Sequence, residues 1–302
     1  MEEVTQMYLR LKLAILIFLL LFVVPDISHA TIYFYYDAED CTDGEYLPFS
    51  IFEPIYGRDE LRGRCVSNTT APQGNKIIQW NVTDPVPPYS DIHHQLNDVF
   101  FDTIPPSSPG ATYYFAFFFR FDRIDGQDIW HEGVGTECFD KAAEIRGGGI
   151  RWIINFGERA MGNQDHHYTI FIATDKDYNP ELESPSDTYS QNYNGYSRFN
   201  PIQLEYEKWN TVVFKMKWAT DKTGEIGMWV NGIKVMEYMN FITVLSPGTF
   251  SKMMMHGTIA QPLYDAPPHY RKFDAIIFTD NWQDIINGGY LNTHPSPPYL
   301  NP

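Results

Sequence analysis

The chain has 302 residues, and its 22 lysines and arginines stand against 38 aspartates and glutamates, for a formal net charge of -16. This charge excludes nucleic acid as an expected partner, because phosphate binding needs a basic surface. Only 20% of the residues are charged and 16% are aromatic, which is not the composition of a disordered chain. Glycine and proline are frequent, helix formers are sparse, and aromatic and β-branched residues are common, which favours an all-β protein.

The N-terminus has the pattern of a secretory signal peptide over residues 1–30. Arg10 and Lys12 precede an apolar run at 13–24, and Ser28-His29-Ala30 offers small residues at a cleavage site. The run is short for a membrane span, and an uncleaved anchor is the alternative. We therefore expect an exported protein, secreted, periplasmic or at the cell surface, with no membrane span after signal removal.

Export permits disulfide bonds, and the expected mature chain contains three cysteines. Cys41 and Cys65 close a loop of moderate length near the mature N-terminus, so we predict that they pair. Cys138 is then left over as a buried thiol.

Segments rich in aromatic and β-branched residues recur between turn signals and are predicted strands. In chain order they are 31–37, 76–82, 111–122, 127–131, 149–156, 166–174, 209–218, 225–230, 233–238, 252–258 and 272–279. The pair Asn231-Gly232 predicts a type I′ hairpin turn. Short helices are predicted at 91–97 and 280–287, and a long tyrosine-rich loop at 175–199.

About a dozen short antiparallel strands predict a two-sheet antiparallel jelly-roll sandwich, an all-β fold. We expect one such domain over residues 31–292, followed by a proline-rich tail at 293–302. A curved sheet of this kind has a concave face on which an extended polymer such as a glycan lies well.

One block of the sequence resembles a known family. The segment 206–218, followed by 224–232, is similar to the concanavalin A-like β-jelly-roll polysaccharide lyases related to heparin lyase I and glucuronan lyase. The late strand 271–280 and the long strand 111–122 resemble the same proteins, so the likeness covers roughly residues 110–280. It implies the jelly-roll fold and β-elimination on a uronic-acid-containing polysaccharide. The same fold also serves non-catalytic glycan-binding proteins.

The shared block also makes physical sense without the family. Alternate residues of its first strand are apolar and suit a core between two sheets: Val212, Phe214 and Met216. Lys215 and Lys217 then lie on the other face, and Trp209 and Trp218 are predicted to cap the core at the strand's two ends.

β-Elimination needs a group that neutralises the uronate carboxylate, a base for the C5 proton and an acid for the leaving oxygen. Histidine and tyrosine suit the base and the acid, and arginine or an amide suits the neutralising group. The candidate catalytic residues are His131, Arg151, His166 and Tyr168.

Strand periodicity groups these candidates with amides. Gln127 shares a face with His131, and Asn155 shares a face with Arg151. Asn163 and Gln164 precede the third set, in which His166 and Tyr168 lie on one face. For each set the alternative is a structural role; for Arg151 it is an ion pair with Glu144 or Asp140.

Further candidates for substrate binding lie in two aromatic and polar stretches, since rings stack on sugars and amides bind hydroxyls. They are Tyr193, Tyr196, Arg198, His256, Gln261, Tyr264 and Tyr270. Relatives of the family often carry a lysine and a catalytic tyrosine in a K-x-G-x-Y arrangement near this late strand. Here Lys252 is present but no tyrosine follows at that spacing, so Tyr264 and Tyr270 are the candidates to replace it.

Acidic residues near the mature N-terminus leave two interpretations open. Asp37, Glu39, Asp40 and Asp43 lie close together, and Asp280 joins them if the termini pair. A structural calcium ion is one interpretation, and solvated surface acids are the other.

The sequence is compatible with three functions: a polysaccharide lyase, a non-catalytic lectin-like glycan-binding protein, and a glycoside hydrolase. The hydrolase needs a close carboxylate pair, and no E-x-D-x-x-E run occurs. Without residues 1–30 the charge is -15, because that segment carries three acids and two bases. This charge repels a polyanion at long range, so a lyase acting on polyuronate requires a local basic groove.

Overall fold

The computed structural model describes residues 31–47, 63–82, 98–99, 110–124, 139–147, 150–157, 167–175, 196–244, 250–255 and 269–292. The strands, in chain order, are β1 (Ile32–Tyr36), β2 (Arg64–Ser67), β3 (Lys76–Val82), β4 (Asp98–Val99), β5 (Thr112–Arg123), β6 (Phe139–Gly147), β7 (Ile150–Gly157), β8 (His167–Asp175), β9 (Tyr196–Glu205), β10 (Asn210–Lys217), β11 (Gly224–Val230), β12 (Ile233–Phe241), β13 (Phe250–Met255) and β14 (His269–Thr279). Among the described residues, one short helix, α1, spans Trp282–Asn287. Within the described ranges, no helix is long and apolar enough to cross a membrane.

The strands form two antiparallel sheets, which confirms the predicted all-β sandwich. The eight-stranded sheet has the order β12-β11-β10-β5-β14-β3-β2, with β1 also pairing with β14. The six-stranded sheet has the order β4-β13-β6-β7-β8-β9. Neighbours in space are often far apart in the chain, as in β5 and β14, which is typical of a jelly roll.

Within the part of the chain that the structure describes, an apolar cluster joins the two sheets. Alternate residues of β5 point into it, and four of them are phenylalanines: Phe115, Phe117, Phe119 and Phe121. The six-stranded sheet contributes Trp152 and Ile154 from β7 and Ile202 and Leu204 from β9. The predicted core residues of β10, Val212, Phe214 and Met216, are all buried here. The two sheets therefore pack face to face through residues that alternate along each strand.

The other face of the eight-stranded sheet has an apolar cluster of its own. Helix α1 places Ile285 on this face, and Tyr290, just after the helix, stacks on Phe118 with ring centroids 5.0 Å apart. Trp209 belongs to this second cluster, so the prediction that it caps the inter-sheet core is wrong. Trp218, at the other end of β10, does lie in the inter-sheet core as predicted. Tertiary packing decides which side a residue at a strand end takes.

The predicted hairpin between β11 and β12 is confirmed. Asn231 and Gly232 both have positive φ angles, 49° and 76°, as a type I′ turn requires. The Asn231 side chain accepts the Thr211 N–H at 2.9 Å and donates to Asn210 Oδ1 at 2.9 Å. These bonds connect the turn to β10, so the turn residue also fixes the neighbouring strand.

The disulfide between Cys41 and Cys65 is present, with Cα atoms 6.2 Å apart. It ties the segment after β1 to the edge strand β2. Cys138 lies outside the described residues.

Several strands differ from the sequence prediction. Strand β6 was not predicted, because the alternation in FDKAAEIRG is broken by adjacent alanines, both of which are buried. Strand β9 begins at Tyr196, inside the predicted 175–199 loop. The predicted strand at 127–131 and the predicted helix at 91–97 lie outside the described residues. Strand β4 begins directly after the segment 91–97.

Candidate functional site on the six-stranded sheet

The six-stranded sheet has one face in the core, and its other face, called here the open face, carries the candidate site. Trp152 and Ile154 of β7 are buried against the core. Because residues alternate across a strand, Arg151, Ile153 and Asn155 take positions on the open face. Two candidates predicted to share a face, Arg151 and Asn155, therefore do so.

Three cationic residues stand in register across neighbouring strands of this face. Lys252 of β13 lies opposite Arg146 of β6, and Arg146 lies opposite Arg151 of β7. The next pair, Ile145 with Trp152, is buried in the core, which places the cationic pair on the open face. These three residues, the basic row, form a line perpendicular to the strands.

The line continues into the next two strands with residues that are not cationic. Trp152 pairs with Thr174, so the register places Asp175 beside Arg151. Asp175 in turn lies opposite Tyr196 of β9. Asp175 and Tyr196 therefore continue the register line of the basic row toward the sheet edge.

An irregularity in β9 decides which of its residues reach the open face. Ile202 pairs with Ile170, but Ile172 pairs with Phe199, so β9 has one extra residue in this interval. Such a bulge reverses the alternation of the residues before it. Without the bulge, Tyr196 and Arg198 would share the face of buried Ile202; with it, both take positions on the open face.

A second line lies beside the basic row. Arg198 is opposite Ala173, and Ala173 is opposite Ile153 of β7. Ile153 is opposite Glu144 of β6, and Glu144 is opposite Met254. Glu144 is thus a diagonal neighbour of Arg151. An ion pair between them, considered from the sequence, remains an alternative role for that arginine. Asp140 pairs with Phe156, several residues further along, and is not a neighbour of Arg151.

Two other candidates lie elsewhere. Tyr168 of β8 is opposite Leu204, which is 3% exposed, so its register position belongs to the core face rather than to the open face. Tyr270 is in β14, next to Asp122 of β5, in the other sheet. Phe273, three residues further along β14, is buried in the inter-sheet core. Because successive residues of a strand point to opposite faces, Tyr270 lies on the outer face of the eight-stranded sheet. Neither residue joins the basic row.

The remaining candidates lie outside the described residues. They are Gln127, His131, Asn163, Gln164, His166, Tyr193, His256, Gln261 and Tyr264.

The register also reveals residues that sequence reasoning missed. Arg146 stands at the centre of the basic row, and Lys141 lies opposite Asn155 on the same face. Both belong to β6, the strand that was not predicted. The available signal was the spacing of Lys141, Glu144 and Arg146 in an otherwise small and apolar segment.

Several of the acidic residues considered for calcium accept hydrogen bonds within the fold, namely Asp37, Glu39, Asp43 and Asp280. Glu39 Oε1 accepts the N–H groups of Asn75 at 2.7 Å and Lys76 at 2.6 Å. Asp43 accepts the Ser67 N–H, and Asp280 accepts the Tyr33 hydroxyl at 2.8 Å. Among the residues that the structure describes, no group of three or more His, Cys, Asp or Glu side chains could hold a metal ion.

A comparison with protein families decides the chain's membership. The family model described as polysaccharide lyase matches residues 66–255. The chain belongs to this polysaccharide lyase family. The match includes β6 to β13, so it covers every strand that contributes to the basic row.

Solved structures agree with this membership at the level of fold. The endo-β-1,4-glucuronan lyase from the fungus Trichoderma reesei is 17% identical, with a TM-score of 0.52, covering 84% of this chain and 98% of that one. The marine alginate lyase from Aplysia kurodai is 14% identical, with a TM-score of 0.50, covering 82% and 99% of the two chains. A search of curated proteins gives no match. At these identities the likeness shows a shared jelly-roll fold.

Proposed function

We propose that this member of the polysaccharide lyase family cleaves a uronic-acid-containing polysaccharide by β-elimination on the open face of the six-stranded sheet. The observation that carries the proposal is the basic row of Lys252, Arg146 and Arg151. A polyuronate carries one carboxylate per sugar, and a line of cations is the matching surface. In a chain of net charge -16, these three adjacent cations, which stand beside the carboxylates of Asp175 and Glu144, are the positively charged part of the face that such a substrate requires.

The direction of the basic row suits an extended polymer. Neighbouring strands lie about 4.8 Å apart. This spacing is close to the length of one sugar unit in a 1,4-linked chain, so a polymer that crosses the strands places roughly one sugar over each strand. We propose that Tyr196 and Arg198 bind sugars at the β9 end and that Asn155 binds a hydroxyl beside Arg151.

The chemistry assigned to the row is neutralisation of the uronate carboxylate. A guanidinium can bind a carboxylate through two parallel hydrogen bonds, which stabilises the negative charge that develops when C5 loses its proton. A base takes the C5 proton, the electron pair forms the C4–C5 double bond, the C4–O bond breaks, and an acid protonates the leaving oxygen. We assign the neutralising role to Arg151, and His131 and His166 remain the proposed base and acid.

A lectin-like function is the second candidate, and one observation favours it. In the sequence, Lys252 is followed by Met253-Met254-Met255-His256, so a histidine stands where the relatives' K-x-G-x-Y spacing places a tyrosine. A non-catalytic binding protein needs the cations and aromatic residues of the open face but no base.

We also propose export, with residues 1–30 as a cleaved signal; the disulfide between Cys41 and Cys65 supports this, because such bonds persist in oxidising compartments.

The test is a panel of polyuronates, including polyglucuronate, alginate and polygalacturonate, with ultraviolet absorbance as the readout of unsaturated product. We expect product from at least one polymer. Arg151→Gln should lower the rate about a hundredfold or more, the range for removing one donor to a developing negative charge. Lys234→Gln, an exposed lysine on the other sheet, is the matched control and should keep the wild-type rate. Binding without product on every polymer would favour the lectin-like function.

A further inference from the structure

We propose that the outer face of the eight-stranded sheet carries a second, non-catalytic site for an anionic polysaccharide. It is formed by four residues in register across β2, β3, β14 and β5, called here the outer row. They are Arg64, Gln79, Lys272 and Arg120. The residues next to them in sequence, including Cys65, Ile78, Phe273 and Phe119, are buried in the inter-sheet core, so the outer row faces away from it.

The outer row has an excess of positive charge. Asp122 binds both Arg120, with Nε to Oδ1 at 2.5 Å, and Lys272 through its other oxygen. Arg64 contacts a neutral group, the Tyr46 hydroxyl, at 2.7 Å, and its guanidinium lies 4.3 Å from that ring's centroid. Within the described ranges, no carboxylate forms an ion pair with Arg64. Three cations and one carboxylate leave a local charge of +2 on a chain whose total is -16.

These cations are held in place before any ligand arrives. Side chains of Arg120 and Lys272 are only 20% and 13% exposed, and the shared carboxylate restrains both. Arg64 is restrained by its contacts with Tyr46. Cations that are already ordered lose less conformational entropy on binding than free surface lysines do. The outer row thus differs from a scattered set of surface charges.

Neutral polar groups flank the row and suit sugar hydroxyls. Gln79 donates to Asn81 Oδ1 at 3.0 Å, and both amides are accessible to solvent. Tyr270 lies beside Lys272, with Nζ 5.9 Å from the ring centroid. Tyr270 was expected to bind substrate, and here it takes a place beside the outer row rather than the basic row. Cations, amides and an aromatic ring across four strands are the chemistry that recognises a polyuronate.

The inference rests on the proposed function in one respect, because it takes the ligand to be the same class of polymer. Two binding rows on opposite faces of one sandwich would raise the affinity for long chains without changing the chemistry at the open face. Short oligosaccharides that occupy only the open face would not sense the outer row. This difference separates the two sites experimentally.

The test compares two double variants of the full chain. Arg64→Gln with Lys272→Gln removes two charges of the outer row and leaves the Arg120–Asp122 pair intact. Lys222→Gln with Lys234→Gln removes the same charge from exposed positions elsewhere, and urea unfolding checks that both variants are folded under the binding conditions. Retardation in native gels that contain long polyglucuronate or alginate measures binding. We expect the outer-row variant to bind roughly three- to tenfold more weakly, as two surface charge contacts imply, and the control to bind like wild type.

Turnover of short oligosaccharides is measured in parallel. We expect kcat and KM of the outer-row variant to stay at the wild-type values, because the substrate does not reach the outer face. Equal retardation of both double variants would overturn the outer row while leaving the proposed function intact. Failure of the wild-type protein both to bind and to cleave any polyuronate would overturn the proposed function and the outer row together.

Discussion

Asp274 is a buried carboxyl group whose ionisation should set the pH dependence of stability. It has no exposed surface, and its Oδ2 accepts the Gln73 N–H at 2.8 Å. Its Oδ1 has no hydrogen-bond partner within the described part of the chain. Burial raises the pKa of Asp274 from 3.8 to about 7, opposed by the N–H groups of Gln73 and Ala275 and assisted by the charges of Asp37 and Glu39.

The sign follows from the direction of this shift. The folded state keeps the Asp274 proton up to about pH 7, whereas the unfolded chain releases it near pH 4. The folded protein therefore loses stability as pH rises between these values and is insensitive to this group above them. The full difference corresponds to roughly 4 kcal/mol in the free energy of unfolding, and the part lost between pH 5 and pH 8 is about 2 to 3 kcal/mol.

The perturbation is Asp274→Asn, which keeps an acceptor for the Gln73 N–H and cannot ionise. Urea unfolding followed by tryptophan fluorescence at pH 5 and pH 8 gives the free energies. We expect the stability of the variant relative to wild type to rise by about 2 to 3 kcal/mol between pH 5 and pH 8. Asp221→Asn, at an exposed turn, is the control and should show no such gain. An Asp274→Asn protein that loses stability from pH 5 to pH 8 as much as wild type does would refute the reasoning.

Two further predictions concern the sandwich itself. Phe117→Ala should lower the free energy of unfolding by about 3 to 5 kcal/mol, because it leaves a cavity in the inter-sheet core, whereas Met239→Ala, at a side chain 55% exposed, should change it little. Urea midpoints of the two variants check this, and similar midpoints would mean that the sheets do not pack through β5. Replacing Cys41 and Cys65 by serine should lower the free energy by about 3 kcal/mol, as expected for a disulfide that closes a loop of 24 residues. An unchanged midpoint for wild type with and without reductant would contradict a stabilising disulfide.

The sequence predicts the fold correctly where the determinants of structure are local. Val212, Phe214 and Met216 alternate within one strand, and Asn231-Gly232 encodes its own turn, so periodicity and turn chemistry are enough to place them. The block that resembled the polysaccharide lyases lies in this same region.

The candidate site is harder to predict from the sequence, because its geometry depends on strand pairing between distant segments. Arg151 and Asn155 could be placed on one face from their spacing alone. The alignment of Arg151 with Arg146 and Lys252 depends on the register of three strands, which no local pattern encodes. The position of Arg198 depends on an extra residue in β9 that only its pairing with β8 reveals.

The most direct test of the central claim is the release of unsaturated sugar from a matched pair of polymers. One is a polyuronate with free carboxylates, and the other is the same polymer with its carboxylates reduced to alcohols. We expect ultraviolet-absorbing product from the first polymer only, and at least a hundredfold slower release by Arg146→Gln combined with Arg151→Gln. Wild-type rates in that double variant would contradict a role for the basic row in substrate cleavage.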